Sequence, residues 1–322
     1  MKAKKFKAFV SMIVTAALLF GMSVLLTNCA SDKTNTGADT SSSSAVTENS
    51  QNTTALTDTV SPDEIEWNGD SFKAKENGGL FNILLIGQDK RPGEGRQRSD
   101  TMILCSFNPE TNELAVISFL RDLYVQIPGY SDNRLNAAYA YGGFPLIRQT
   151  FEQNFGITAD GCLEVDFDSF EKIIDILGGV DIELTAAEAK IVGGDAHEGV
   201  CRLDGEHALI YARIRKIDSD FQRTERQRKV LSSVFTKMKD SSMTELMSLV
   251  SEILPLITTD MADEDLLSFA ASLAASLSEL KVENYGVPSQ GNYRNETING
   301  MMVLVPDLYE IKKLLFEEYP PI

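Results

Sequence analysis

Histidine is almost missing from this chain. His197 and His207 are the only two in 322 residues, too few for a His-rich zinc centre and thin material for a His-dependent triad. Cysteine is scarce as well. Cys29, Cys105, Cys162 and Cys201 stand apart with no CxxC pair, which excludes zinc-ribbon and thioredoxin-type sites. Positive charge is outweighed, with 30 lysines and arginines against 47 acidic residues and a formal charge of −17. Nonspecific nucleic-acid binding depends on neutralising phosphates over a broad basic surface, so no nucleic acid is expected as a partner. The cations that are present are concentrated. Of the 13 arginines after residue 78, eight fall within 91–98 and 213–228. The second window reads YARIRKIDSDFQRTERQR. Cations scattered among Glu partners would mark a solvated helix face, whereas this clustering suits a polyanion site.

Four lysines in MKAKKFK precede the uncharged stretch AFVSMIVTAALLFGMSVLLTN. Positive charge before an apolar run of roughly 20 residues predicts a membrane anchor with the rest of the chain outside. LLTNC also resembles a lipoprotein cleavage box, so lipidation at Cys29 is the alternative to an uncleaved helix. Residues 30–60 are rich in Ser, Thr, Asn and Ala, a composition that cannot bury enough surface to offset the entropy of ordering. The expected organisation is a cytoplasmic tail over 1–7, an anchor over 8–27, a flexible extracytoplasmic linker over 28–77 and a folded domain over 78–322.

Within that domain FNILLIG (81–87) reads as a buried strand, and TMILCSF and LAVISF flank the turn-forming NPETNE as a hairpin. NAAYAYGGFPLIRQTFEQNFG predicts a helix interrupted near Gly142, Gly143 and Pro145. CLEVDF, VDIEL and LKVENYGVP read as strands. DSFEKIIDILGG, residues 223–240, 243–257 and 263–279, and PDLYEIKKLLFEEY read as helices. Alternating strands and helices predict a layered α/β domain with helices on both sheet faces.

Asp89 falls just beyond one buried strand and Asp100 just before another. Ends of adjacent strands are where ligand loops converge in such sheets. The two carboxylates could share a divalent cation completed by water and phosphate oxygens; the alternative is that both are turn or cap residues. SFLRD puts Arg121 and Asp122 straight after the strand at 114–119, either as a structural ion pair or at the same sheet edge. If ARIRKID runs extended, Arg213 and Arg215 project to one side, whereas in a helix they lie about 200° apart. Val230, Leu231, Val234, Phe235 and Met238 form an apolar stripe at helical spacing. Continued backwards, the stripe takes in Gln227 and Arg223. An arginine there should face a crevice, because burial without a partner is costly. Arg226 and Arg228 flank the stripe and are expected in solvent. Asp220 either caps this helix, orients an arginine or accepts a proton. Arginine's planar fork suits phosphate, and several of them with one divalent cation match a diphosphate. Displacement at phosphorus needs positioning and charge stabilisation rather than a nucleophilic Ser, Cys or His.

Taken in order, NILLIGQD, RSDTMIL, SFLRD, NAAYAYGG, LGGVDIEL, LDGEHALIYARIR, DFQRTERQ and INGMMVLVPD resemble the LytR-CpsA-Psr family across about 78–322. The resemblance implies an α/β fold, an α-β-α sandwich with a central mixed sheet, tethered to the cell membrane by its anchor. It implies a phosphotransferase that takes a phosphosugar glycopolymer, such as teichoic acid or capsular polysaccharide, from an undecaprenyl-pyrophosphate carrier. The polymer is attached to peptidoglycan by a phosphodiester bond. The implied cofactor is Mg2+ or Mn2+, with Asp89 and Asp100 on the metal. Arg98, Arg121, Arg213, Arg215, Arg223 and Gln227 match the pyrophosphate-binding positions. Arg98, Arg121, Asp122 and Asp220 are the implied catalytic set, the two aspartates being candidate proton acceptors. LMSLVSEILPLI and LLSFAASLAASL are candidates for lining an apolar lipid pocket, with ordinary core packing as the alternative. Arg134 stands where the family often has lysine. In an exported domain Cys162 and Cys201 could pair, while Cys105, mid-strand, is expected as a buried free thiol. Two other functions remain open: hydrolysis of the polyprenyl pyrophosphate, and a non-catalytic envelope regulator or polymer-binding scaffold.

Overall fold

Short apolar runs whose alternate residues are buried on opposite sides build a sheet covered on both faces. The protein is represented by a computed structural model that describes residues 59–72, 79–88 and 96–319; the expected anchor, Cys29 and Asp89 lie outside them. Among the described residues no helix is long and apolar enough to cross a membrane.

The elements run β1 (Thr59–Val60), β2 (Phe81–Gln88), β3 (Ser99–Asn108), β4 (Glu113–Phe119), β5 (Tyr124–Val125), β6 (Asn133–Arg134) and α1 (Leu135–Phe155). There follow β7 (Gly161–Asp166), α2 (Phe167–Ile176), β8 (Val180–Leu184), α3 (Ala186–Val192), β9 (Gly199–Leu203), α4 (Gly205–Ala212) and α5 (Asp220–Asp240). The chain continues through α6 (Met243–Ile253), β10 (Thr258–Thr259), α7 (Asp263–Ser276), β11 (Lys281–Val287), β12 (Tyr293–Ile298), β13 (Met301–Pro306) and α8 (Leu308–Lys313).

The central sheet has the order β10-β7-β2-β3-β4-β11. It is mixed: β2 runs parallel to β7 and β4 to β11, and the other pairs are antiparallel. On one face Leu84, Ile86, Leu104, Ile117 and Phe119 belong to a core that includes Ile147 and Phe151 of α1 and Ile311 of α8. On the other, Ile83, Ile103, Phe107 and Val116 pack with Leu246 of α6, Leu273 of α7, and Leu231 and Phe235 of α5. The α-β-α layering expected from sequence is therefore present. The β3–β4 hairpin closes where expected, with the Asn108 side chain accepting from the Glu110 amide at 2.9 Å. VDIEL forms β8, paired with β9 in a separate two-stranded ribbon. That ribbon has its own core, in which Val180, Ile182, Leu203 and Tyr211 meet Val230 of α5.

Helix α1 breaks at Gly143, where φ is 64° and ψ −148°. That backbone region belongs essentially to glycine. A Cβ there would also lie 2.7 Å from Cζ of Arg96, so the break makes room for a guanidinium.

Two features depart from the sequence reading. Strands β12 and β13, not anticipated as a hairpin, pair antiparallel, and β1 joins β12 in parallel. The segment 59–72, assigned on sequence to the linker, packs against the domain. Ile65 is buried, Trp67 stacks on Tyr124 at 6.2 Å, and Lys312 Nζ donates to the Gly69 carbonyl at 3.0 Å. The suggested Cys162–Cys201 disulfide is absent: Cys105, Cys162 and Cys201 are all free and buried. Cys162 lies in the main core and Cys201 in the ribbon's core, so different packing units hold the two thiols.

Candidate functional site

Strand β4 ends at Phe119, and its exit brings Arg121 and Asp122 to the sheet edge. Their backbone is clamped there. Leu120 donates to the Val287 carbonyl at 2.8 Å, Asn136 donates to the Arg121 carbonyl at 3.3 Å, and Leu304 to the Asp122 carbonyl at 2.9 Å. Three other elements, β11, α1 and β13, thus hold these two residues in place.

Arg121 is the hub. Its Nη1 donates to Asp100 Oδ1 at 2.7 Å. Its Nε lies 3.5 Å from Asp122 Oδ2 and 3.4 Å from Asp220 Oδ2. Burial alone would weaken its charge, but the bond to Asp100 and the fields of Asp220 and Asp122 outweigh this and raise its pKa. Asp100 sits at the start of β3 and also meets Arg215, with Nη2 3.6 Å from Oδ2. Arg223 approaches from the first turn of α5, its Nη1 3.0 Å from Asp220 Oδ1 and its Nη2 donating to the Asp100 carbonyl at 3.3 Å.

Arg223 is 1% exposed. Expected from the sequence to face a crevice, it is instead buried, with its partners inside. Burial, and then repulsion from Arg215 and Arg121, bring its pKa down to about 10 despite Asp220, still far above neutrality. Its Nε and Nη1 make no well-aligned hydrogen bond, and neither does Arg121 Nε. Buried donors without acceptors are costly, and here several converge from separate elements on one place. A phosphate oxygen is the acceptor that such planar, charged donors fit best.

Asp220 is not the helix cap. Ser219 occupies that position, and the Asp220 carboxylate bridges Arg121 and Arg223. Gln227 lies one turn beyond Arg223 with its Oε1 buried and unpartnered. Arg98 is exposed and is not among the described arginines ion-paired with Asp100, Asp122 or Asp220. Arg213 does not run extended beside Arg215. It closes α4, with φ −102° and ψ 0° and its amide reaching back to the helix carbonyls, and its guanidinium lies 4.3 Å over the Phe167 ring. The pull of the helix terminus overrides the alternation seen in ARIRKID.

Arg226 and Arg228, expected in solvent, are both drawn in. Arg226 is 3% exposed. It donates to Glu188 Oε1 at 2.7 Å, to the Ile214 carbonyl at 3.1 Å and to both oxygens of Asp218. The ribbon unit packs over this side of α5, which helical periodicity in α5 alone does not reveal. Arg228 is half-buried, and burial lowers its pKa against the pull of Glu225.

The LytR_cpsA_psr family model matches residues 31–317. The chain belongs to the LytR_cpsA_psr family. It is 32% identical over 256 residues to the polyisoprenyl-teichoic acid–peptidoglycan teichoic acid transferase TagU of Oceanobacillus iheyensis, covering 76% of this chain and 75% of that protein. It is 32% identical over 228 residues to the regulatory protein MsrR of Staphylococcus aureus, covering 70% and 69% of the two chains. The fold matches the solved structure of the family protein YwtF (TagT) with bound octaprenyl pyrophosphate lipid, with a TM-score of 0.58 and 26% identity. That match covers 76% of this chain and 92% of the other.

Other residues of this LytR_cpsA_psr domain reach the same region without having been chosen as site residues. Arg134, noted on sequence only as a departure from lysine, places Nε 3.3 Å from Asp122 Oδ1 and donates to the Met302 carbonyl at 2.6 Å. At the end of β2, Gln88 and Tyr139 both donate to Glu164. Gln88 also accepts from the Gln97 amide at 3.0 Å, and Arg96 stacks 5.6 Å from the Tyr139 ring centre. These contacts hold the strand that leads into Asp100. No local motif marks them; the signal lies in which strand ends become neighbours.

Proposed function

We propose that this protein transfers a phosphosugar glycopolymer from a polyprenyl-pyrophosphate carrier to peptidoglycan, forming a phosphodiester bond. The observation that carries this reading is the convergence of Arg121, Arg215 and Arg223 on Asp100 and Asp220, with buried guanidinium donors that make no well-aligned hydrogen bond. The names of TagU and of the lipid-bound family structure supply the substrate class.

In the reaction, a peptidoglycan hydroxyl oxygen attacks the sugar-linked phosphorus. A new P–O bond forms, the bridging P–O bond breaks, and polyprenyl phosphate leaves carrying its oxygen. Arg121, Arg215 and Arg223 hold the negative charge that spreads over the phosphoryl oxygens, the electrostatic role that dominates such transfers. Asp122 and Asp220 are the carboxylates placed to take the hydroxyl proton. Each lies between two guanidiniums, Asp122 between Arg121 and Arg134 and Asp220 between Arg121 and Arg223.

The site suits a divalent cation at Asp100. One of its oxygens is taken by Arg121, while the other has only the 3.6 Å approach of Arg215, on a carboxylate about one-third exposed. Asp100, with Asp89 beyond the described residues, would hold Mg2+ or Mn2+, which when bound would neutralise diphosphate charge. Helices α6 and α7, which carry LMSLVSEI and LLSFAASLAAS, cover the sheet face opposite α1 and would hold the lipid chain. An N-terminal anchor over 8–27, or lipidation at Cys29, would keep the domain at the outer face of the cell membrane, where carrier and acceptor meet.

The test is incubation of the full-length protein with a polyprenyl-pyrophosphate-linked glycan, peptidoglycan and magnesium. Polymer-linked peptidoglycan is expected. Free phosphoglycan alone would replace transfer with hydrolysis. Binding without turnover would favour the regulatory role that the name MsrR attaches to a relative.

A further inference from the structure

Between α5 and the ends of β4 and β11 lies a cavity of about 210 Å³. Its walls include Ser118 and Leu120 at the end of β4, Phe221, Thr224 and Arg228 on α5, and Val287 at the end of β11. Leu120 directly precedes Arg121, and Phe221 directly follows Asp220, so the cavity shares its backbone walls with the diphosphate site.

Arg228 is the unusual group here. Its Nε and Nη1 are buried and have no hydrogen-bond partner. Gly286 leaves open the space beside it: a Cβ there would stand 3.5 Å from Nη1. Withdrawing part of a guanidinium from water carries a desolvation cost, and burial depresses its pKa against the pull of Glu225. Arg226, two residues earlier, shows how the same helix saturates an arginine when its role is structural. Arg228 keeps Nε and Nη1 without a partner.

We propose that this cavity binds a carboxylate of the peptidoglycan acceptor through Arg228, an inference that rests on the transfer reading above. Three observations favour a carboxylate over another phosphate. The donor's diphosphate already has its own arginines. Glu225 also lines the cavity and would repel a doubly charged group more than a singly charged one. The volume is below the range of roughly 300–1,000 Å³ usual for drug-sized ligands, and so fits a sugar or short peptide fragment rather than a polymer. Peptidoglycan stem peptides carry such carboxylates next to the sugar whose hydroxyl reacts. Holding that carboxylate beside the shared wall would bring the hydroxyl to Asp220 and the phosphorus.

The experiment measures binding of N-acetylmuramyl dipeptide and of its carboxamide to the full-length protein without donor. The free acid should bind the wild type at least tenfold more tightly than the amide. Arg228→Gln should remove that preference, and Arg228→Lys should keep part of it, which separates lost charge from a damaged fold. In the transfer assay Arg228→Gln should raise KM for peptidoglycan about tenfold while KM for the lipid-linked donor stays within twofold. Equal binding of acid and amide, or equal loss of donor and acceptor affinity, would overturn the inference, as would inorganic phosphate occupying the cavity in place of the dipeptide. If the wild type does not transfer but its dipeptide binding still depends on Arg228, the transfer reading fails and the carboxylate site stands. If transfer runs normally in Arg228→Gln, only this inference falls.

Discussion

Arg223 and Arg226 stand three residues apart on α5 and are almost equally buried, 1% and 3% exposed, yet their surroundings differ in kind. Arg226 is saturated by Glu188, Asp218 and the Ile214 carbonyl, and ties α5 to α3 and the loop after α4. Arg223 faces one carboxylate and one carbonyl, has like charges on Arg121 and Arg215 nearby, and keeps donors without aligned acceptors. Burial alone therefore does not separate a structural arginine from a substrate-binding one. The balance of donors and acceptors around it does, because an unfilled demand for anions is tolerable only where an anion arrives.

The comparison breaks most clearly at Arg226. Arg226→Ala should cost about 3–5 kcal/mol of stability, since it leaves Glu188, itself buried, without its guanidinium partner. Urea unfolding would read this, while turnover per folded molecule stays near the wild-type value. A stable but inactive Arg226→Ala protein would place that arginine in the chemistry and undo the distinction.

Arg121→Ala should show the reverse pattern. Losing the hub donor should raise the barrier to transfer by about 2–4 kcal/mol, read as kcat/KM, with an unfolding midpoint close to the wild type. Arg215→Ala should act in the same direction but more weakly. Its side chain is 43% exposed and its contact with Asp100 is 3.6 Å, a geometry in which ion pairs contribute about 1 kcal/mol or less.

The smallest effect concerns pH and belongs to the structural side. Burial raises the Glu188 pKa, but bonds from Thr185 and Arg226 reverse this and leave it below the ordinary value of 4.5. A carboxylate depressed in the folded state adds stability above its unfolded pKa and loses it as pH falls through the folded value. Glu188→Gln should therefore destabilise the protein at pH 7, and the gap from wild type should narrow as pH drops below about 4.5. A gap independent of pH would mean that Glu188 acts by packing and not by charge.

Much of the fold was legible because its signals are local. The apolar run ending at Gly87, the turn at NPETNE, the break around Gly143 and the stripe through Val230 and Phe235 each mark an element without reference to the rest. The β12–β13 hairpin escaped notice because INGMMVLVPD drew attention as a motif rather than as a strand, and its partner NYRNETI is polar. The segment at 59–72 was absorbed into the linker because its stabilising contacts, Tyr124 and Lys312, lie far along the chain. Of the residues that the fold brings together, Asp100, Arg121, Asp122 and Arg223 stand out in the sequence from strand ends and the helical stripe, and Asp220 from its place just before Arg223. Arg226 and Arg228 were misplaced because periodicity describes one core face, and α5 packs against two units.

The sequence by itself determined a layered α/β domain with arginines gathered at its strand and helix ends, since periodicity, turn chemistry and charge clustering act over a few residues. Only the tertiary structure decided which arginines keep unmatched donors and which brace the scaffold. That choice rests on partners such as the Asp100 carbonyl, 123 positions from Arg223. What a buried guanidinium does depends on the acceptors that folding places around it, and no local stretch of sequence carries that information.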